Sequence, residues 1–296
     1  MNVIEIKQLT KDYGNKKGVF GLDLSIKKGE VFGFLGPNGA GKTTSIRHLM
    51  GFIHPDKGEC FINGLDCSKQ GDIIQKSLGY LPGEIAFMDD MSGIQFIKFI
   101  ADMKGIKDFS RAKELINIFK LDPNGKIKKM SKGMKQKIGI VCAFMNNPDI
   151  LILDEPTSGL DPLMQNEFHN LILSEKEKGK TIFMSSHNFD EIERTCDRTA
   201  IIKDGYLVAV EDMKILSQSK SKSYIITFLT KEMALEFAKE KFSVKDILGN
   251  KVTVAVKGNI KSLIRTLDKY EIIDLDVKTQ TLEELFMHYY GGEKNV

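Results

Sequence analysis

Gly36-Pro37-Asn38-Gly39-Ala40-Gly41-Lys42-Thr43 and, further along, Ile150-Leu151-Ile152-Leu153-Asp154-Glu155 decide how this chain folds. A triphosphate concentrates negative charge in a small volume. A loop holds it only if backbone N–H groups point inward, and Gly36, Gly39 and Gly41 allow the chain to curl that closely. The helix expected from Lys42 aims its positive N-terminal end at the phosphates. Lys42 adds a full charge near the β- and γ-phosphates, and Thr43 offers a hydroxyl to Mg²⁺. The preceding Val31-Phe32-Gly33-Phe34-Leu35 reads as a buried parallel strand. The strand–loop–helix context that such a loop requires is therefore present.

The second stretch is an apolar run of central-strand length that ends in two carboxylates. Asp154 is placed to hold Mg²⁺ directly or through water. Glu155, one residue on, is placed to accept a proton from an attacking water.

With further motifs in order over residues 1–215, the sequence resembles the ATP-binding cassette (ABC) ATPases. Tyr13, in Lys11-Asp12-Tyr13-Gly14, matches the aromatic that stacks on adenine. Residues 36–44, through Thr44, match the phosphate loop, and Ser131-Lys132-Gly133-Met134 falls where the family has its signature loop. Asp154-Glu155-Pro156-Thr157 matches the second phosphate motif, and Ser158-Gly159-Leu160-Asp161 the dimer loop. Ser185-Ser186-His187 matches the switch histidine. The resemblance implies Glu155, His187 and Lys42 as catalytic residues. It implies Tyr13, Gly36, Pro37, Asn38, Gly39, Ala40, Gly41, Lys42, Thr43, Thr44, Ser131, Gly133 and Asp161 as nucleotide contacts. Thr43 and Asp154 are the implied metal ligands, with ATP and Mg²⁺ as cofactors. Ser131 is expected to cap a helix whose start forms a second anion site. In the family that site faces the γ-phosphate held by a partner, so two chains enclose two ATP molecules.

The chain departs from the family pattern twice. The usual Leu-Ser-Gly-Gly-Gln signature is Met130-Ser131-Lys132-Gly133-Met134 here, and Lys132 is expected to add positive charge near the partner's nucleotide. Where a metal-contacting glutamine normally follows Tyr80-Leu81-Pro82, the chain has Gly83 and Glu84. Glu84 is carried as a candidate metal ligand in its place. The Leu-Pro-Gly-Glu form resembles some exporter ATPases.

The 296 residues allow a large core and more than one domain. A net charge of +3, from 43 basic and 40 acidic residues, favours neither general nucleic-acid binding nor a membrane-surface tail. The lysines of 126–137 read as a solvated basic face, because no aromatics are interleaved with them. The four cysteines lack metal-type spacing and fit a reducing cytoplasm, with Cys142 expected to be buried. The N-terminus shows no signal-peptide pattern, and no apolar run approaches the roughly 18 residues that span a bilayer.

Residues 1–217 are expected to form the ABC ATPase domain: a parallel core sheet, an antiparallel β subdomain and a helical subdomain over about 89–147. The resemblance places the groove for a membrane subunit near the loop 81–90. A polar linker is expected at 218–223. Residues 218–296 then read β-α-β-β-α-β, a small α+β ferredoxin-like C-terminal domain. Gly249-Asn250 marks its hairpin, and Ile260, Leu263, Ile264 and Leu267 mark one helix face. Ile273, Leu275 and Val277 alternate as a strand. Thr281 and Glu284 form a capping box for a last helix, with Leu282, Leu285, Phe286 and Tyr289 on one face. The tail resembles C-terminal extensions of bacterial drug and peptide exporter ATPases.

These readings point to an ATPase subunit of an exporter for an antibiotic, an amphipathic peptide or another hydrophobic compound. It would sit at the cytoplasmic face of the cell membrane through an integral membrane permease. It would pair with a second ABC ATPase, a copy or a paralogue, and no nucleic-acid partner is expected. The alternative is a soluble ABC ATPase acting on ribosomes or nucleic acid. Against it, the insertion between the phosphate motifs shows no sustained heptads, and the chain carries one cassette.

Overall fold

The computed structural model describes residues 1–88, 90–219, 222–256 and 260–290. Asp89 of the expected groove loop, residues 220–221 of the expected linker and the Tyr289 side chain lie outside what is described. The chain opens with β1 (Asn2–Asp12), β2 (Gly18–Lys27), β3 (Val31–Leu35) and α1 (Lys42–Leu49). Next come β4 (Lys57–Ile62), β5 (Leu65–Asp66), α2 (Gly71–Ser77) and β6 (Leu78–Leu81). The helical stretch holds α3 (Gly93–Met103), α4 (Ser110–Ile118), a 3₁₀ turn at Ile127–Lys129 and α5 (Lys132–Phe144). It is followed by β7 (Ile150–Asp154), α6 (Pro162–Glu177), β8 (Thr181–Ser186), α7 (Phe189–Thr195), β9 (Arg198–Lys203) and β10 (Tyr206–Asp212).

These elements form one compact unit, Met1–Met213. Its main sheet has the order β10-β9-β3-β8-β7-β6, parallel except for β10. Every residue of β3, β7 and β8 is buried, which is why these strands read as unbroken apolar runs. The second sheet, β2-β1-β4-β5, is antiparallel. It shares its core with the first: Ile4, Ile6 and Leu22 join Phe34, Phe183 and, from α1, Ile46 and Leu49. Three strands of the expected antiparallel sheet and the central parallel strands were legible. The short α2 and β6 were not, because each opens at or includes a glycine and β6 has only four residues.

In the helical stretch, Ser92 and Gln95 form a reciprocal cap that starts α3. Phe96, Ile97 and Ala101 are buried on that helix, and Ala112 and Leu115 on α4. Arg111 of α4 reaches Glu175 of α6 at 2.6 Å, so this stretch is tied to the core by charge as well as packing. Glu175 is fully buried and also pairs with Lys178 at 2.8 Å and with Lys180. Burial pushes its pKa up, but the hydrogen bonds from Lys178 and Lys180 and the nearby positive charges outweigh burial, and the net direction is down.

The second unit, Lys214–Val296, contains β11 (Lys222–Phe228), α9 (Lys231–Phe237), β12 (Ser243–Leu248), β13 (Lys251–Val256), α10 (Lys261–Leu267), β14 (Ile272–Thr279) and α11 (Leu282–Tyr290). The sheet order β12-β13-β11-β14, antiparallel throughout, is the ferredoxin-like arrangement. Tyr224, Ile226, Phe228, Val252 and Val254 pack with Phe237, Leu263 and Leu267 from the two crossover helices. Thr281 and Glu284 exchange the two hydrogen bonds of a capping box at 3.1 and 3.3 Å.

Four details differ from the sequence reading. The described parts of the expected linker are the end of α8 (Met213–Ser219) and the start of β11, since polar residues also suit exposed helix ends and strand starts. Ile264 points outward at 54% exposure, because a helix this short buries only Leu263 and Leu267. Ile273, Leu275 and Val277 do lie on a strand, but all are exposed, because β14 is an edge strand. Cys142 is half-buried, not buried, and lines a surface groove.

Removing the buried acid while its cations remain is expected to be costly. Glu175→Ala should lower unfolding free energy by about 3 kcal/mol, read from denaturant titrations. Because the Glu175 pKa is depressed on folding, its contribution is present above the ordinary carboxyl range. It is lost as pH falls through the lower folded value. The gap between wild type and Glu175→Ala should therefore close in acid, and a gap independent of pH would contradict the ion-pair account.

Candidate active site

The loop after β3 places the first group of residues. Gly39 and Gly41 adopt positive φ (81° and 110°), and a Cβ on Gly41 would lie 2.7 Å from Val19. The close curl expected of the glycines is thus required by both conformation and space. Lys42 follows at the start of α1 and is 5% exposed. Its ammonium donates to the carbonyls of Gly36 at 2.6 Å and Pro37 at 3.2 Å. It also lies 3.0 Å from Glu155 Oε1. Tyr13, Pro37, Asn38, Gly39, Thr44 and Glu155 line one cleft of about 390 Å³ together with Gly41, Lys42 and Thr43. Tyr13 is 55% exposed, with its ring available at this cleft. Ala40 is buried, and its carbonyl accepts the N–H of Gly205.

The end of β7 supplies the carboxylates. Asp154 is fully buried. It accepts the Thr43 hydroxyl at 2.8 Å and the Ser185 hydroxyl at 2.5 Å. Glu155 sits in the left-handed region at φ 49°, which costs a non-glycine residue about 1–2 kcal/mol. Its N–H donates to the Ser185 carbonyl at 3.2 Å and the Ser185 hydroxyl at 3.0 Å, and these bonds hold the turn. Turned this way, Glu155 Oε2 lies 2.6 Å from His187 Nδ1. Lys42, Glu155 and His187 thus meet in one cluster, beside the Thr43–Asp154 pair. His187 itself is exposed, with its ring open to further partners.

The residues present suit Mg²⁺. Thr43 and Asp154 offer hard oxygen donors already within 2.8 Å of each other, the donor type that ion takes. Glu84 lines a separate groove, and it is Gly83 that abuts Asp154, at 3.1 Å from the position a Cβ would occupy.

Ser131, Gly133 and Asp161 lie outside the cleft lined by the phosphate loop. Ser131 caps α5, accepting the N–H of Met134 at 3.2 Å. A Cβ on Gly133 would lie 2.5 Å from the Gly159 carbonyl, so the signature loop packs directly on the segment after Glu155. Lys132 donates to the Ser158 hydroxyl at 2.8 Å, joining the same two loops. Asp161 caps α6 through the N–H groups of Leu163 and Met164, both at 3.1 Å.

Sequence reasoning missed two residues of this site. Ser185 holds both Asp154 and the backbone of Glu155. Gln136 is 4% exposed and donates to the Pro156 carbonyl at 2.8 Å. Buried polar side chains in apolar surroundings were the available signal.

Comparison with known proteins bears on this geometry. A family model described as "ABC transporter" matches residues 19–158. The chain is 32% identical over 300 residues to the bacitracin transport ATP-binding protein BcrA of Bacillus licheniformis, covering 98% of each. It is 31% identical over 306 residues to the linearmycin resistance ATP-binding protein LnrL of Bacillus subtilis (strain 168), again covering 98% of each. Among solved structures it resembles the dimeric structure of a bacterial ABC transporter cassette, with a TM-score of 0.64 and 25% identity. That match covers 71% of this chain and 98% of the other.

Because Glu84 lines a groove other than the phosphate-loop cleft, Glu84→Ala should leave the Mg²⁺ dependence of nucleotide hydrolysis unchanged. A Mg²⁺ titration of initial rates checks this. A rightward shift of about tenfold or more would restore Glu84 as a ligand.

Proposed function

The chain belongs to the ABC transporter ATP-binding proteins, and from that premise we propose that it powers export of an antibiotic, an amphipathic peptide or another hydrophobic compound through a separate membrane subunit. It is an ATPase that binds ATP with Mg²⁺, forms dimers and serves a membrane permease. Among the described residues, no helix is long and apolar enough to cross a membrane. The single observation that carries the proposed chemistry is the convergence of Lys42 and His187 on Glu155, beside the bonded pair of Thr43 and the buried Asp154.

In this reading the reaction is attack of water on the γ-phosphorus, with the developing charge spread over its oxygens. The phosphate loop's N–H groups and Lys42 bind the phosphates and stabilise that charge. Thr43 and Asp154 would hold Mg²⁺, which supplies further charge neutralisation. Glu155 orients the water and takes its proton, and His187 holds Glu155 and the phosphate oxygens in register. Tyr13 stacks on the base at the mouth of the cleft. Ser131 and Gly133 start a helix outside the cleft, which supports a role in closing the partner's site in a symmetric or paralogous pair.

A second surface supports the permease. Phe52, Tyr80, Ile85, Phe96 and Ile100 line a groove of about 520 Å³, with Glu84 and Lys104 supplying charge. An apolar groove with few polar groups suits a short helix from a membrane partner. Such a partner would hold this chain at the cytoplasmic face of the membrane. The relatives named for bacitracin transport and linearmycin resistance support the export direction and the substrate class. No nucleic-acid partner is proposed.

Glu155→Gln should bind ATP normally, slow hydrolysis by about 10²–10⁴-fold and collect as an ATP-loaded dimer on gel filtration. Turnover close to wild type in that variant would remove Glu155 from the role of general base.

A further inference from the structure

Three consecutive residues divide their side chains between two sides of the chain. Ser185 bonds Asp154, and His187 bonds Glu155. Ser186 lies between them and faces the other way, as extended backbone requires, toward α7. There its hydroxyl donates to Glu191 Oε2 at 2.6 Å and accepts the Asn188 N–H at 2.9 Å. Its carbonyl accepts the N–H of Gly36 at 3.2 Å, so Ser186 also touches the start of the phosphate loop. Glu191 is 1% exposed, and its Oε1 has no hydrogen-bond partner.

A buried carboxyl is costly unless hydrogen bonds or opposite charges compensate it, and here Ser186 bonds only one of the two oxygens. Its surroundings suggest a positioning role. The helix that carries it is pressed onto the sheet, since a Cβ on Gly33 of β3 would lie 2.7 Å from Ile192. The backbone carbonyl of Glu191 accepts the Thr195 hydroxyl at 2.7 Å, which fixes its turn of the helix. The carboxyl is therefore a rigid point to which the histidine loop is attached through Ser186.

We propose that Glu191 is a positioning residue for hydrolysis: through Ser186 it holds His187 in register with Glu155. The inference rests on the roles given above to Glu155 and His187.

Titration of Glu191 gives an independent readout. Burial pushes its pKa up, the Ser186 and Thr157 hydroxyls pull it back, and the charge of Glu155 raises it, leaving it at about 7. Cys196, which ends its helix, feels its charge in turn, and Glu155, the charge that acts on it, is itself paired with His187 and Lys42. Arg194, also on α7, binds Asn166 of α6 and acts on His169 there. A carboxyl whose folded pKa exceeds its unfolded value destabilises the fold increasingly as pH rises through that interval, and no further above about 7. Glutamine keeps an acceptor for Ser186 and does not ionise.

The test compares Glu191→Ala, Glu191→Gln, His187→Ala and the double variant Glu191→Ala/His187→Ala in the full-length chain. Glu191→Ala should lower kcat by about tenfold or more, with KM for ATP changed by less than about twofold. Glu191→Gln should recover most of the rate. Its melting temperature should rise relative to wild type between pH 5.5 and 8. The double variant should be no slower than His187→Ala alone, because both changes remove one function. The proposal is overturned by a wild-type kcat in Glu191→Ala, by losses that multiply in the double variant, or by parallel pH–stability curves for wild type and Glu191→Gln. If Glu191→Ala fails to fold, Ser186→Ala, which removes the same link, takes its place in the kcat and double-variant comparisons. A His187→Ala variant with wild-type turnover would instead overturn the underlying assignment of the site.

Discussion

The ion pair between Lys42 and Glu155 exists because β3, β8 and β7 lie side by side and parallel. Parallel strands deliver their C-terminal ends to one edge of a sheet, where the loops that follow meet. Here those loops carry the glycines and Lys42 after β3, His187 after β8, and Glu155 at the end of β7. The middle strand is the one that connects the other two. Ser185 reaches Asp154 and the Glu155 backbone on one side, and the Ser186 carbonyl takes the Gly36 N–H on the other. Shifting β8 by one residue would turn Ser185 and His187 away together. Register in three buried strands therefore sets the chemistry of the site.

That dependence explains what the sequence disclosed and what it hid. The phosphate loop, the carboxylate-ending strand and the switch histidine were legible because phosphate chemistry demands particular residue types at fixed spacing. The β-α-β-β-α-β tail was legible because its elements are short and regularly punctuated. Ser185 and Gln136 were not, since a buried hydroxyl or amide has no periodic signature until its partner is placed. Exposure of Ile264 and of the β14 residues was hidden for the opposite reason. Apolar pattern gives the face of an element, while its position in the sheet decides whether that face is covered. Glu84 was drawn to the metal by motif position alone, and it is the neighbouring Gly83 whose backbone abuts Asp154.

The signature loop departs from the family pattern, and the structure shows what its residues touch within the chain. Lys132 bonds Ser158, Gly133 packs on Gly159, and Gln136 holds Pro156. All three contacts fall on the segment that leaves Glu155. The helical stretch, which also lines the apolar groove, is thereby attached to the segment that leaves Glu155. Under the proposed function, movement imposed at the groove by a membrane partner would reach the site along this route. The buried Arg111–Glu175 pair gives that stretch a second attachment to the core.

The central claim is that each nucleotide is held by Lys42 of one chain and closed over by the signature helix of another. A structure of the full-length chain with Mg²⁺ and a slowly hydrolysed ATP analogue tests it most directly. The account predicts a dimer in which every γ-phosphate lies between Lys42 of one protomer and Ser131 and Gly133 of its partner, with Glu155 and His187 facing the water. A nucleotide bound wholly within one chain, with Ser131 and Gly133 of both chains turned to solvent, would contradict it.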